Sequence, residues 1–183
     1  MNEKQLVRAS KRISLHLRHA PGEIGLVLGH GGWVGVDDLL DALERHGLRL
    51  TRDELDEVVS SSDKQRFAID ATGTLIRANQ GHSVPVDLAL PESAPPDVLF
   101  HGTVAAALPA IRRDGLRPMA RHQVHLSAAE ETAIRVGARR GKPVVLRVDA
   151  AKMTADGHRF FVSTNGVWLV DSVPPEYLTQ QDA

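Results

Sequence analysis

Apolar residues in the first twenty positions recur at nearly helical spacing. The positions that form this stripe are Leu6, Ala9, Ile13 and Leu17. The pattern predicts an amphipathic helix over residues 4–19, which Pro21 and Gly22 end. Its last residues, SLHLRHA, hold two histidines and an arginine within four positions. Cations are favourable near the last carbonyls of a helix, so this basic end has a structural explanation as well as a functional one.

The following segments predict two more helices and a β-hairpin. After the short extended piece GGWVGV, Asp37 is expected to cap a helix that Gly47 ends. Thr51 and Glu54 have the spacing of a capping box and open a helix to about Ser60. QRFAID and TLIRAN, separated by the turn ATG, predict a hairpin. Helices followed by a hairpin occur in this order in winged-helix modules.

A change of composition predicts a domain boundary. Residues 82–97, HSVPVDLALPESAPPD, are rich in proline and have no helical period. We therefore expect domains at 1–90 and 91–183. In the second domain, VLFHGT, QVHLS, PVVLRVDA, RFFVSTN and GVWLVDSV predict strands. VAAALPAIRRDGL predicts a helix with Pro109 in its first turn or at a kink and Gly115 at its end.

Two further elements complete the prediction for the second domain. Ser127 and Glu130 have the spacing of a second capping box, which is expected to open a helix to about Arg139. AKMTADG predicts a turn or short helix. The predicted fold class is therefore α+β.

Composition and charge exclude several classes of function. The 183 residues contain no cysteine, which excludes disulfides, thiol catalysis and cysteine zinc sites. No apolar run reaches the roughly 20 residues of a membrane span, and the N-terminus lacks the apolar region of a signal peptide. A cytoplasmic protein without membrane contact is expected. The net charge of −1 argues against non-specific coating of nucleic acid but permits a local basic site.

Three short stretches offer candidate chemistry, each beside a structural alternative. His101, at the end of a predicted strand before Gly102, either presents its ring to a flat ligand or is a hydrogen-bonded core histidine. RVGARRGK, residues 135–142, is either an anion clamp or a charged helix end. Lys64 and Arg66 are either phosphate contacts or a strand edge. No metal-binding motif occurs, so no metal is expected. Walker, GxSxG and GxGxxG motifs are also absent, so P-loop, hydrolase and Rossmann functions have no support.

Seven stretches in order resemble the RNA 2′-phosphotransferase family over about residues 4–178. They are SLHLRHAPGEIGL, GGWVGVDDLL, DKQRFAID, LFHGT, VHLS, RVGARRGKPVVLRVDA and STNGVWLVDSVPPEYL. The resemblance implies an N-terminal winged-helix RNA lobe and a C-terminal lobe similar to ADP-ribosyltransferases. It implies NAD⁺ as co-substrate and RNA with an internal 2′-phosphate, as in tRNA, as partner. We also expect a monomer.

The resemblance further implies a two-step reaction and a set of site residues. The RNA 2′-phosphate attacks C1″ of the nicotinamide ribose, and the 2″-hydroxyl then attacks phosphorus, giving 2′-hydroxyl RNA and ADP-ribose 1″,2″-cyclic phosphate. The implied catalytic residues are Arg18, His19, Arg66 and, by motif position, Arg139, which Arg140 adjoins. The implied NAD⁺-binding residues are His101, Gly102, Thr103, His125, Ser127, Gly137 and Asn165.

Two alternatives remain open at this level. Many ADP-ribosyltransferases carry a glutamate on a late strand, where this chain has Val167. The first alternative is a mono-ADP-ribosyltransferase acting on protein or on nucleic-acid phosphate ends. The missing glutamate counts against it and favours an acceptor that is already charged. A non-catalytic nucleic-acid-binding regulator is the second alternative. It is disfavoured because residues 1–90 hold 11 Lys and Arg against 13 Asp and Glu.

Overall fold

The chain folds into two compact units that divide between Ala89 and Leu90, inside the proline-rich segment 82–97. A computed structural model describes residues 1–62 and 65–180. Each unit combines helices with antiparallel sheet and has its own hydrophobic core. The predicted α+β class is confirmed. No helix in the described ranges is long and apolar enough to cross a membrane.

Unit 1, residues 1–89, contains three helices and one three-stranded sheet. The helices are α1 (Glu3–Arg18), α2 (Val36–Arg45) and α3 (Arg52–Ser60). The strands are β1 (Val34–Gly35), β2 (Phe67–Ile69) and β3 (Leu75–Ala78), ordered β1-β3-β2 with antiparallel pairing. The predicted β2–β3 hairpin is confirmed, with Phe67 opposite Ala78.

The first helix follows the predicted apolar stripe. Ala9, Ile13 and Leu17 are fully buried in the core of unit 1. A capping box between Asn2 and Gln5 begins α1, because the Asn2 side chain accepts from the Gln5 amide and the Gln5 side chain accepts from the Asn2 amide. The helix ends at Arg18 and not at residue 19, which is its C-cap.

The two predicted caps in the rest of unit 1 have different outcomes. The Thr51–Glu54 capping box is confirmed: the Thr51 amide donates to Glu54 Oε2 at 3.0 Å, and the Glu54 amide donates to Thr51 Oγ1 at 3.2 Å. The prediction that Asp37 caps α2 is wrong. The N-cap is Gly35, because β1 leads directly into the helix and leaves Asp37 inside its first turn.

Unit 2 consists of two three-stranded antiparallel sheets with helices packed on them. One sheet has the order β4-β6-β9, and the other has the order β5-β8-β7. The strands are β4 (Val98–Val104), β5 (Val124–Leu126), β6 (Pro143–Asp149), β7 (Phe161–Val162), β8 (Trp168–Val170) and β9 (Leu178–Gln180). β9 is not among the strands predicted from the sequence.

The helices of unit 2 are α4 (Leu108–Asp114), α5 (Glu130–Gly137) and α6 (Ala150–Ala155). Pro109 lies in the first turn of α4 without a kink, and Gly115, with φ 74°, ends the helix as predicted. AKMTADG forms the short helix α6, which Asp149 caps.

The predicted capping box at Ser127 is wrong. The N-cap of α5 is Ala129, without a side-chain hydrogen bond, and the helix ends at Gly137 before reaching Arg139. The reason is that Ser127 belongs to a bridge between strands. Its amide and carbonyl exchange hydrogen bonds of 2.9 and 2.8 Å with Phe100, which joins the two sheets.

Candidate active site

The C-terminal end of α1 opens into a groove on unit 1, which we call the Arg18 groove. Arg18, His19 and Arg66 all line it, together with residues of α1 and α3, and its volume is about 660 Å³. Three of the four predicted catalytic residues therefore lie in one groove, although Arg66 is 48 positions from Arg18 in sequence. Lys64, predicted as a further phosphate contact, lies outside the described residues.

A direct hydrogen bond connects two of these arginines. Nη2 of Arg18 donates to the backbone carbonyl oxygen of Arg66 at 3.2 Å, and Nη1 of Arg66 donates to Oγ of Ser62 at 3.2 Å. Both guanidinium groups are partly buried. The first bond holds the end of α1 to the residue that precedes the hairpin, so Arg18 is positioned by a backbone carbonyl and Arg66 by a side-chain hydroxyl.

His19 is positioned by the segment that follows the sheet of unit 1. As the C-cap of α1 it leaves helical geometry, with φ −123°. Its Nδ1 lies 2.9 Å from Oγ of Ser83, and the Ser83 amide donates to the carbonyl oxygen of Arg18 at 2.9 Å. We call these two contacts of Ser83 the strap at Ser83. They orient the exposed imidazole so that it lines the same groove as Arg18, its neighbour in sequence.

His16, three residues before His19, has a structural role. It is 2% exposed. Its Nδ1 lies 3.0 Å from the carbonyl oxygen of Ala20, and its Nε2 accepts from Nε of Arg12 at 3.2 Å. Both ring nitrogens are hydrogen-bonded within unit 1, so the imidazole stabilises the C-terminal end of α1.

Two glycines predicted to bind NAD⁺, Gly102 on β4 and Gly137 in α5, lie at the contact between these two elements of unit 2. A Cβ at Gly102 would overlap the carbonyl oxygen of Ala133 in α5 and lie 2.9 Å from the Gly137 amide nitrogen. A Cβ at Gly137 would lie 2.7 Å from the carbonyl oxygen of Thr103. The two glycines therefore let α5 pack directly on the backbone of β4. Backbone packing accounts for both residues, and their contact with NAD⁺ remains a prediction.

His101, on β4, is held by the neighbouring sheet. Its Nδ1 lies 3.1 Å from the carbonyl oxygen of His125, so this nitrogen carries the hydrogen and donates. Burial lowers the pKa of His101, and the charges of Arg140 and Arg121 lower it further, against the opposing effect of that hydrogen bond. The ring is accordingly neutral at neutral pH and serves as a hydrogen-bonding group.

Arg121 is a candidate that the sequence motifs did not single out. Its Nη1 lies 2.9 Å from Nδ1 of His125. Because arginine only donates, this nitrogen of His125 accepts. Burial of part of the side chain lowers the pKa of Arg121, and the charges of Arg140 and Arg139 add to that effect. We call Arg121, Arg139 and Arg140 the arginine cluster. The motif VHLS pointed to His125, but nothing in its spacing indicated the arginine four residues earlier.

The structure distinguishes Arg140 from its neighbour in this cluster. Both side chains lie just beyond α5 and are exposed. The charge of Arg140 acts on His101 and is the larger of the two on Arg121, whereas Arg139 contributes only at Arg121. Arg140 is thus electrostatically coupled to the predicted NAD⁺-binding histidine.

The remaining predicted NAD⁺-binding residues lie in or beside the same two sheets. Thr103 is buried on β4, and Ser127 is the residue that bridges β5 to β4. Asn165 lies in the turn between β7 and β8, where its Oδ1 accepts from Oγ of Ser163 at 2.6 Å. Each of the three is fixed by backbone pairing or by a turn.

Comparison with known proteins identifies the family. A sequence model of the RNA 2′-phosphotransferase, Tpt1 / KptA family, matches residues 4–172. The chain belongs to this family. It is 59% identical over 178 residues to a "Probable RNA 2′-phosphotransferase" of Streptomyces coelicolor, with 97% of each chain covered. Proteins with the same name from Nostoc punctiforme and Rhodopirellula baltica are 55% and 53% identical over 178 residues, covering 97% of this chain and 98% and 97% of theirs.

The match to the RNA 2′-phosphotransferase family confirms the resemblance inferred from the seven stretches. It spans both units and includes every predicted site residue as well as Arg121. Among residues 1–62 and 65–180, no three His, Asp or Glu side chains are grouped so that they could hold a metal ion.

Proposed function

We propose that this chain is an NAD⁺-dependent RNA 2′-phosphotransferase that removes an internal 2′-phosphate from RNA. The observation that carries the proposal is the meeting of Arg18, His19 and Arg66 in one groove of unit 1. The family supplies the reaction class, and the groove supplies a cationic site of matching chemistry.

The Arg18 groove fits a phosphate monoester. Such a group is largely dianionic at neutral pH, because its second pKa is near 6. Two guanidinium forks can each bind two of its oxygens and keep their charge at any relevant pH. The dianion is already a nucleophile, so the first step needs orientation and charge compensation and no general base.

The folds of the two units support a division of roles. Three helices and a three-stranded antiparallel sheet in unit 1 are the elements of a winged-helix lobe, to which we assign RNA binding. Unit 2, with two short antiparallel sheets and α5 packed on β4, is assigned as an ADP-ribosyltransferase-like lobe that binds NAD⁺.

The residues of unit 2 fit NAD⁺. NAD⁺ supplies an electrophilic ribose carbon, C1″, with nicotinamide as its leaving group. Arg121, Arg139 and Arg140 lie close enough for their charges to interact unfavourably, and a pyrophosphate offsets that repulsion. A neutral His101 adds a hydrogen-bonding ring without a further charge beside these cations.

In the second step negative charge builds on phosphorus as the ribose 2″-hydroxyl attacks. Arg18 and Arg66 stabilise that charge without a metal, as arginine forks do in phosphoryl transfer. As the bond between phosphorus and the RNA 2′-oxygen breaks, His19, oriented by Ser83, takes the proton of the 2″-hydroxyl and gives it to the departing 2′-oxygen.

The test is a complete assay with a matched control. The protein is incubated with NAD⁺ and an oligoribonucleotide carrying one internal 2′-phosphate, and nicotinamide, RNA and cyclic phosphate are separated by chromatography. We expect equal amounts of nicotinamide and 2′-hydroxyl RNA and no reaction without NAD⁺. Absence of both products would refute the proposal. Stable transfer of ADP-ribose to the RNA or to a protein, without cyclic phosphate, would favour a mono-ADP-ribosyltransferase instead.

A further inference from the structure

A second groove lies on α1 beside the Arg18 groove, and the mechanism above does not use it. We call it the Arg8 groove. Its volume is about 230 Å³, and it is lined by Arg8, Lys11, Arg12, Leu15, Gly47 and Leu48. Lys11 and Leu15 line both grooves. The two grooves therefore adjoin on α1, and the predicted phosphate site at Arg18 lies in the larger one.

The cations of the Arg8 groove are not paired with carboxylates in the part of the chain that the structure describes. Within residues 1–62 and 65–180, no salt bridge involves Arg8, Lys11 or Arg12. Arg8 and Lys11 are exposed. Arg12 donates to the carbonyl oxygen of His46 at 3.0 Å, which orients its guanidinium without reducing its charge. An anion in this groove would therefore meet three uncompensated positive charges.

The other candidate helix of unit 1 has the opposite charge. In helix-turn-helix proteins the second helix of the pair contacts nucleic acid, and in unit 1 that position belongs to α3. Its carboxylates are Asp53, Glu54, Asp56 and Glu57, and its one cation, Arg52, is paired with Asp56 at 3.0 Å. Phosphates are repelled by α3, so within unit 1 the charges favour α1 as the helix that meets RNA.

We propose that the Arg8 groove binds backbone phosphates of the RNA nucleotides that flank the 2′-phosphorylated one. The proposal rests on the function proposed above, because it uses the Arg18 groove as the site of that nucleotide. Lys11 and Arg18 are seven residues apart, which is about 10 Å along a helix. Along the axis of a stacked double helix, successive phosphates of one strand are about 3.4 Å apart. The roughly 10 Å between Lys11 and Arg18 therefore corresponds to about three phosphate spacings.

The expected size of the effect follows from counterion release. For a single strand, each phosphate contact adds about 0.7 to the slope of log affinity against log salt. One contact is then worth about fivefold in affinity at 0.1 M salt relative to 1 M. Loss of both Arg8 and Lys11 is expected to lower the slope by about 1.4 and to weaken binding about 25-fold on the same scale.

The experiment compares Arg8→Gln, Arg8→Gln/Lys11→Gln and the control Arg45→Gln. Arg45 is an exposed cation at the end of α2 that lines neither groove and donates to the carbonyl oxygen of Asp41. Binding of a fluorescent hexaribonucleotide with one internal 2′-phosphate is measured without NAD⁺ over a salt series. The ratio of kcat/KM for this hexanucleotide to that for a 2′-phosphorylated dinucleotide is then measured with NAD⁺.

The groove variants should lower both the salt slope and the kcat/KM ratio, and Arg45→Gln should change neither. An unchanged slope and ratio in the double variant would overturn the proposal and favour another occupant of the groove, such as an acidic protein segment. An equal loss in Arg45→Gln would also overturn it, because net charge alone would explain the effect. If the unsubstituted chain binds RNA but turns over neither substrate, the catalytic proposal fails separately, and the salt slopes still decide the role of the Arg8 groove.

Discussion

Arg18 Nη2 and the carbonyl oxygen of Arg66 are joined by a 3.2 Å hydrogen bond that crosses 48 positions of sequence. The side chain of one predicted catalytic residue therefore holds the backbone of another. The guanidinium of Arg66 is in turn held by Oγ of Ser62. The two cations therefore form a preorganised pair, in which each guanidinium donates one hydrogen bond.

Replacement by lysine separates charge from geometry at this pair. Lysine keeps the charge but loses the planar fork, so Arg18→Lys and Arg66→Lys should each lower kcat by roughly 100-fold, the size seen when one preorganised donor is removed. Each variant should also cost about 1 kcal/mol of stability, because Arg18→Lys loses the donor to the Arg66 carbonyl and Arg66→Lys loses the donor to Oγ of Ser62.

Single-turnover kinetics and urea unfolding measure the two effects, with Arg45→Lys as control. Unchanged stability in Arg18→Lys would show that the bond to the Arg66 carbonyl does not stabilise unit 1. Full activity in Arg66→Lys would remove Arg66 from the catalytic set.

Ser83→Ala should impair His19 without removing it. The substitution deletes the hydroxyl 2.9 Å from Nδ1 and leaves the Ser83 backbone bond to Arg18 in place. One lost orienting hydrogen bond of about 1.4 kcal/mol corresponds to about tenfold in rate, a smaller loss than for His19→Ala. Single-turnover rates of RNA dephosphorylation should fall in Ser83→Ala and fall further in His19→Ala. Identical rates for Ser83→Ala and the unsubstituted protein would exclude Ser83 as a positioning residue.

Three single substitutions distinguish the roles of the residues in the arginine cluster. Arg121→Ala should raise the KM for NAD⁺ most, since Arg121 contacts His125 and interacts with both other cations. By motif position Arg139→Ala is expected to slow the second step more than the first, so ADP-ribosylated RNA should accumulate. Quenched-flow analysis of RNA species, with Arg135→Ala as control, distinguishes these effects. Accumulation in Arg140→Ala alone would move that role to Arg140.

Most of the fold could be predicted because local signals agreed with packing. The stripe of Ala9, Ile13 and Leu17, the Thr51 capping box and the β2–β3 hairpin are all local patterns, and all occur. The errors were tertiary in origin. Ser127 has the spacing of a cap, but its backbone is paired with Phe100, 27 positions earlier in the chain.

The candidate site was predictable where its residues lie in contiguous motifs. SLHLRHA identified Arg18 and His19, and the family resemblance added Arg66. The strap at Ser83 and the contact of Arg121 with His125 could not be predicted, because each depends on where a loop returns in three dimensions. Gly102 and Gly137 were interpreted as ligand contacts, and only their packing revealed the contact between β4 and α5.

His101 should make unit 2 sensitive to acid. Its pKa in the folded protein is lowered, first by burial and then by Arg140 and Arg121, so the unfolded chain takes up the proton first as the pH falls below 6.5. The free energy of unfolding should therefore decrease as the pH is lowered below 6.5. His101→Asn should make this pH dependence flatter. Urea unfolding over a pH series tests the slope, and NMR titration of Arg140→Gln should give a higher pKa for His101. Equal pH dependence in the variant and the unsubstituted protein would contradict the assignment.

Gly102→Ala separates the two explanations for this glycine. A Cβ at Gly102 would overlap the Ala133 carbonyl oxygen, and neither β4 nor α5 can yield without disturbing the β4–β6 pairing. We expect a loss of about 1–3 kcal/mol, the usual cost of overpacking a core. Gly22→Ala is the control, since nothing lies within 4 Å of a Cβ there and its φ is not positive. If NAD⁺ contact were the only reason for glycine, Gly102→Ala would instead raise the KM for NAD⁺ and leave the unfolding free energy unchanged. Urea unfolding beside NAD⁺ titration decides between the two, because packing affects the stability of the protein without NAD⁺ and ligand contact does not.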